Sequence, residues 1–276
     1  MKKLLLLIVS IIFSSWAVNA QNAKYDSLKV KLSNKIKASQ SYFEFRLYPE
    51  IAFIRNEYKD TILSKQSDLA FIARLNDIYY KRFYPMRRLL DSTFVITEDC
   101  MEEQEIAKDL KMYRLSYYGY NPNWTLPPDY FEQLQAEASK DEALAPYYAL
   151  QTIYFLKKYR NNSLTVSEKA AMSAIEQKYE NQLYTRFVEN QPWGFYKILS
   201  VKVLKLNNYP AVKNIDLSEP VNYYLQNGLT TTNILDVPPF ELDKKDNFLV
   251  LNIGMDKVRQ INAINLLWII LNEKNR

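Results

Sequence analysis

The sequence predicts a mainly α-helical protein, with stacked helical hairpins or an irregular α-array followed by a small β-containing C-terminal piece. Three observations lead there. Apolar residues recur at helical spacing along most of the chain. Only 4 of the 276 residues are glycine, too few for the many tight turns of an all-β fold. Tyr79, Tyr117, Tyr147, Tyr184 and Tyr223 recur at gaps of 30 to 39 residues, about the length of a helical hairpin.

The elements follow in order. Residues 26–38 read as a helix, with Leu28, Leu32 and Ile36 on one stripe and Asp26 as its cap. Pro49 opens a second helix, with Ile51, Ile54, Tyr58 and Ile62 on one face. A third starts at Ser67 and Asp68 and is broken near Pro85, whose ring lacks an N–H. Thr97 caps a fourth, with Glu98, Asp99, Glu102 and Glu103 in its first turns, where negative charge suits the helix dipole. That helix runs through Ile106, Leu110, Tyr113 and Tyr117, and Gly119 is expected to stop it.

A proline-rich loop follows over residues 120–128. Helices resume over 128–138, 142–159 and 165–188, the last capped by Thr165 or Ser167. Asn190, Gln191 and Pro192 break the chain, and helices are expected again over 195–206 and 218–226. The last fifty residues change character. Residues 230–232, 234–235 and 248–253 have strand composition. Residues 256–271 fit a helix, or a strand from Ile264 onward, and periodicity does not choose between them.

The first twenty residues form an export signal. Lys2 and Lys3 are the positive start, residues 4–13 an apolar run, and Val18-Asn19-Ala20 a cleavage site with small residues at the two recognised positions. The run is short of the roughly 20 residues that span a bilayer. The expected mature chain begins at Gln21, without a stable membrane anchor, and is periplasmic or secreted. The predicted division is a signal peptide over 1–20, a helical array over 21–228 and a small α/β element over 229–276 packed on the array.

Composition removes several function classes. Formal charge is +5, and it falls to +3 once Lys2 and Lys3 leave with the signal. That is far from the balance of a nucleic-acid-binding protein. Histidine is absent, so the commonest general base and zinc ligand are missing. Cys100 is the single cysteine, so no internal disulfide forms, and it reads as a small apolar residue. No glycine-rich phosphate loop occurs. No cofactor, metal ligand or catalytic residue is assigned.

Residues 190–212 resemble a degenerate tetratricopeptide junction. Pro192 precedes a helix, Asn207-Asn208 sits at the inter-helix turn and Val212 starts the second half, while the consensus Trp, Gly and Ala positions are missing. More widely, the chain resembles a family of uncharacterised exported bacterial proteins. The matching pieces are the Tyr117-Tyr118-Gly119-Tyr120 turn, Phe83-Tyr84-Pro85, Asp91-Ser92-Thr93, the Pro192 junction and the 228–253 tail. The spacing between Asp91 and Tyr117 is longer than that family leads one to expect. The resemblance implies a helical-hairpin middle and a short β-containing end, and implies no reaction.

The first candidate site is aromatic. Tyr113, Tyr117, Tyr118, Tyr120, Trp124, Tyr130 and Phe131 fall within nineteen residues around the proline-rich loop. Exposed rings stack on sugars, peptides or partner aromatics. Tyr118, Tyr120, Trp124 and Tyr130 are the expected ligand contacts, with core packing as the competing reading. Glu98, Glu102 and Asp129 are nominal carboxylates for a glycan hydrolase, which needs an acid and a base on either side of the bond. Lys81, Arg82, Arg87 and Arg88 form a basic patch. Asp26-Ser27-Leu28, Asp60-Thr61-Ile62 and Asp91-Ser92-Thr93 resemble short O-glycosylation acceptors. The expected function is a non-catalytic binding or scaffold protein of the cell envelope, its partner an envelope protein or glycan. A carboxylate-based glycan hydrolase is the alternative.

Overall fold

The computed structural model describes residues 23–36, 54, 57, 58, 111–120, 122, 124–140, 143–227 and 261–273. These residues are mainly helical and include no strand. The helices are α1 (residues 23–36), α2 (Lys111–Tyr120), α3 (Tyr130–Ala138), α4 (Ala145–Phe155), α5 (Val166–Phe187), α6 (Phe195–Leu206), α7 (Ser218–Asn227) and α8 (residues 261–273). A π-helical turn, Leu156–Arg160, extends α4, and a 3-10 turn, Pro210–Val212, lies between α6 and α7.

Local signals set the boundaries of α5. The Thr165 hydroxyl accepts from the Glu168 amide at 3.3 Å, and the Glu168 carboxylate accepts from the Thr165 amide at 2.7 Å. This reciprocal box satisfies two amide donors that the first turn leaves open. Met172, Ile175, Tyr179 and Leu183 then bury one stripe at spacings of three and four. The helix stops where Asn190 takes a positive φ of 55° and Pro192 follows. Asn tolerates the left-handed conformation, and proline cannot continue the hydrogen-bond ladder.

The centre of the array is α4. It packs against α2, α3, α5 and α6, and nearly every residue from Ala145 to Phe155 is buried. From α2 to α6, each helix contacts the next, and α2, α3 and α4 also contact the helix after that. The exception within this run is α2, whose packing also reaches the π turn.

Gly119 differs from its expected role. It lies inside α2, which continues to Tyr120. A Cβ there would sit 3.3 Å from Phe155 Cβ and 3.3 Å from the Thr152 carbonyl of α4. The glycine serves close helix approach, not helix termination. Ser116 and Thr152 share a hydroxyl hydrogen bond across the same contact. Asp26 also differs: α1 already runs from residue 23, so Asp26 sits within it. Leu28, Leu32 and Ile36 form its buried stripe, as periodicity predicts.

The C-terminal segment is helical. Residues 262–271 are all buried, including Ala263, Ile264 and the run 266–271. The strand alternative from Ile264 is therefore incorrect. A segment apolar on all sides suits a helix enclosed by the array. Asn265 Nδ2 donates to the Ile261 carbonyl one turn back, at 2.7 Å. The predicted strands at 230–232, 234–235 and 248–253 lie outside the described residues, so the small β-containing piece finds no support in the described structure.

Two lysines of α6 meet this last helix. Lys202 is fully buried, with its ammonium 3.8 Å from the centre of the Trp268 ring. It donates to the Tyr147 hydroxyl at 2.9 Å and to Gln151 Oε1 at 3.4 Å. Lys205 pairs with Glu273 at 3.2 Å and donates to the Lys213 carbonyl at 3.1 Å. Trp268 Nε1 donates to the Tyr58 hydroxyl at 2.9 Å, linking residues 210 apart in the chain. A buried ammonium needs such partners, because desolvating a charge alone is costly.

Candidate functional site

The structure turns the predicted aromatic cluster largely inward. Tyr118 and Tyr130 are 4 % and 1 % exposed. Their rings meet edge to face at 6.1 Å, and Trp124 meets Tyr118 at 5.1 Å. The Tyr130 hydroxyl donates to the Leu115 carbonyl at 2.6 Å, and Arg160 Nη1 donates to the Tyr118 carbonyl at 3.0 Å. Burial raises the Tyr130 phenol pKa well above its ordinary value, with the Arg160 charge opposing. The faces expected to meet a ligand are spent on one another, because Tyr118 shares the inward face of α2 with Leu115. Trp124 remains half-buried, and the Tyr120 side chain lies outside the described residues.

The other sequence candidates divide likewise. Asp129 is described and exposed just before α3, where its side chain makes no capping bond. Glu98, Glu102, the basic patch at 81–88, Cys100 and the motifs at 60–62 and 91–93 lie outside the described residues. Asp26-Ser27-Leu28 falls within α1, with Leu28 in the core.

What the fold builds instead is a hollow at the α5–α6 junction. It encloses about 280 Å³ and is lined by Phe187, Pro192, Phe195, Tyr196 and Lys197, with Gln191 and Gly194 at the turn. The local sequence explains it. Asn190 and Pro192 end α5 and Gly194 precedes α6 in extended backbone, so Phe187 and Tyr196 come face to face across the corner. Their rings stack at 5.0 Å. Cations border the rings: Arg186 lies 4.9 Å from the Phe187 centre and the Lys197 ammonium 4.9 Å from that of Trp193. Lys197 also donates to the Gln191 carbonyl. Burial lowers the Lys197 pKa, with Glu219 opposing.

A second constellation surrounds the π turn. Lys157 pairs with Glu176 of α5, and Lys158 pairs with Glu57. The Tyr159 hydroxyl donates to Glu57 Oε2 at 3.4 Å. Burial, then the Glu57 charge, raises the Tyr159 pKa, and burial pushes Tyr154 up to about 12. One turn beyond Glu176 stands Glu180, 9 % exposed. Its carboxyl is pushed up to about 7, first by burial and then by Glu176, with Lys157 opposing. Tyr209 faces this group from the turn before the 3-10 segment. Burial and then the Glu180 charge raise the Tyr209 pKa. Its hydroxyl donates to Asn181 Oδ1 at 2.9 Å, and its ring lies 5.6 Å from that of Tyr184.

Comparison with known protein families, curated proteins and solved structures returns no match.

The described residues include no group of three or more acidic or cysteine side chains able to hold a metal ion. They include no helix long and apolar enough to cross a membrane. Sequence reasoning marked Asn190, Gln191 and Pro192 as a break before a helix but missed the hollow beside it. The available signal was the aromatic pair Phe187 and Tyr196 on either side of a proline break. Glu176 and Glu180 carried a weaker signal, as carboxylates falling on the apolar stripe of α5.

Proposed function

We propose that this chain is an exported, non-catalytic binding or scaffold protein of the bacterial cell envelope, built as stacked helical hairpins. Export rests on the charged start, apolar run and small-residue cleavage site of residues 1–20. The hairpin arrangement draws support from the main helix contacts from α2 to α6, which lie between consecutive and next-consecutive helices. The observation that carries the binding reading is the aromatic hollow at the α5–α6 corner. It offers partly exposed aromatic surface and a cationic border on a helical frame. Such a surface suits an extended peptide or a sugar, with an envelope protein or glycan as its source.

The test is crosslinking of the mature protein in its native envelope, followed by mass spectrometry of what is recovered. The expected result is a reproducible partner or glycan that is lost when Phe187→Ala and Tyr196→Ala are combined. Recovery unchanged by these substitutions would remove the hollow from the binding role. Recovery of the protein alone would count against a scaffold.

The glycan-hydrolase reading keeps one favouring observation, the raised Glu180 carboxyl beside Glu176. Both lie on α5 one turn apart, and Glu176 is held by Lys157. Hydrolysis needs two carboxyl groups on opposite sides of a bond, so binding is the better supported function.

A further inference from the structure

Glu180 is an unusual carboxylate in this fold. It is 9 % exposed, no described protein group donates to its carboxylate, and the carboxylate oxygens keep contact with solvent. The nearby cation, Lys157, is committed to Glu176. One lysine thus faces two carboxylates, and ionising both leaves an uncompensated negative charge in a largely desolvated corner. The groups that face it are few. Glu176 stands on the same helix, Lys157 comes from the π turn and Tyr209 from the turn after α6. Of the helices packed on α5, α3 turns its Gln135 carbonyl to Tyr179, while α6 turns Lys202 and Lys205 to the C-terminal helix. Beside the carboxylate, Tyr184 and Tyr209 hold their rings 5.6 Å apart, and Asn181 fixes the Tyr209 hydroxyl.

A largely buried carboxylate that only water solvates is expensive to charge, and a cation that reaches it from solvent supplies the partner it lacks. Aromatic rings next to a carboxylate favour the same guest, since their faces attract positive charge. We propose that Glu180, Tyr184 and Tyr209 form a receptor for one basic side chain, a lysine or arginine, of a peptide segment in a protein partner. The guest's ammonium or guanidinium takes the position of the missing counter-ion, and its aliphatic stem lies along the tyrosines. This site does not depend on the hollow at the α5–α6 corner.

The test uses the mature full chain and three capped five-residue peptides that differ only at the centre: lysine, arginine or norleucine. Binding is followed by NMR at the backbone amides of residues 180–184 and 209. At pH 8 the lysine and arginine peptides are expected to bind at least about tenfold more tightly than the norleucine peptide. The preference should shrink below pH 7, as a proton competes for Glu180. Glu180→Gln should abolish it, while Glu132→Gln, an exposed charge on α3 outside the receptor, should leave it unchanged. A circular-dichroism spectrum confirms that each variant is folded, and Tyr209→Phe, which keeps the ring, should retain the preference. Equal binding of all three peptides, or a preference that survives Glu180→Gln, overturns the proposal. n-Propylammonium binding as tightly as the lysine peptide would also overturn it, since the site would then read a free amine and not a peptide.

Discussion

Glu180→Gln should change how stability depends on pH. The Glu180 carboxyl titrates near about 7 in the folded protein against an ordinary 4.5. The folded state therefore holds this proton more tightly than the unfolded state. Protonated Glu180 contributes full stability below the ordinary value, and that contribution is lost as pH rises through about 7. A shift of this size sets an upper limit of roughly 3 kcal/mol. Solvent reaches part of the carboxyl and screens it, so about 1–2 kcal/mol is the expected loss. Glutamine keeps the shape and stays neutral, so the variant should not suffer this loss. The assay is urea unfolding at pH 4.5, 6, 7 and 8, followed by tryptophan fluorescence, with variant minus wild type taken at each pH. The subtraction cancels carboxylates remote from residue 180, including Asp216, whose pKa is lowered mainly by hydrogen bonds from Ser218. The difference should grow in favour of the variant between pH 4.5 and 8, reaching about 1–2 kcal/mol. Parallel curves would refute the account of Glu180 as a carboxylate that pays an uncompensated desolvation cost.

Three other substitutions probe the frame, each read by denaturant or thermal unfolding. Thr165→Ala removes the reciprocal cap of α5 and should cost about 1 kcal/mol; no loss would mean that the cap is dispensable. Gly119→Ala adds a Cβ against the Thr152 carbonyl and Phe155 Cβ, both on α4, which has little room to yield. Overpacking of about 1–3 kcal/mol should outweigh the helix-propensity gain of about 1 kcal/mol, giving net destabilisation. A stabilised variant would show that the α2–α4 contact yields. Trp268→Ala empties a fully buried site and leaves both Lys202 and the Tyr58 hydroxyl without the ring. It should cost about 3–5 kcal/mol, and a loss below 1 kcal/mol would show that α8 is not integral to the core.

Much of the fold was legible because helix formation is signalled locally. Thr165 and Glu168 lie three residues apart and cap α5 wherever α5 sits. Leu28, Leu32 and Ile36 mark the inward face of α1 without reference to what covers it. The break at Asn190 and Pro192 is likewise a property of those residues' backbones. The candidate site was far less legible. Tyr118, Trp124 and Tyr130 are amphipathic residues that serve a core or a ligand equally well, and composition carries no information about which.

By itself, then, the sequence determined the helical class, the breaks between most of the described helices and the apolar stripes. All of these depend on residues within a few turns of one another. Tertiary structure decided that Gly119 permits a close helix crossing, that Tyr118 and Tyr130 face each other in the interior, and that residues 261–273 form a helix enclosed by the array. It also set Glu180 beside Lys157 and Tyr209. Those outcomes depend on partners distant in the chain, such as Tyr58 and Trp268, 210 residues apart. Periodicity reports that a face is apolar, and only the packed chain determines what that face meets.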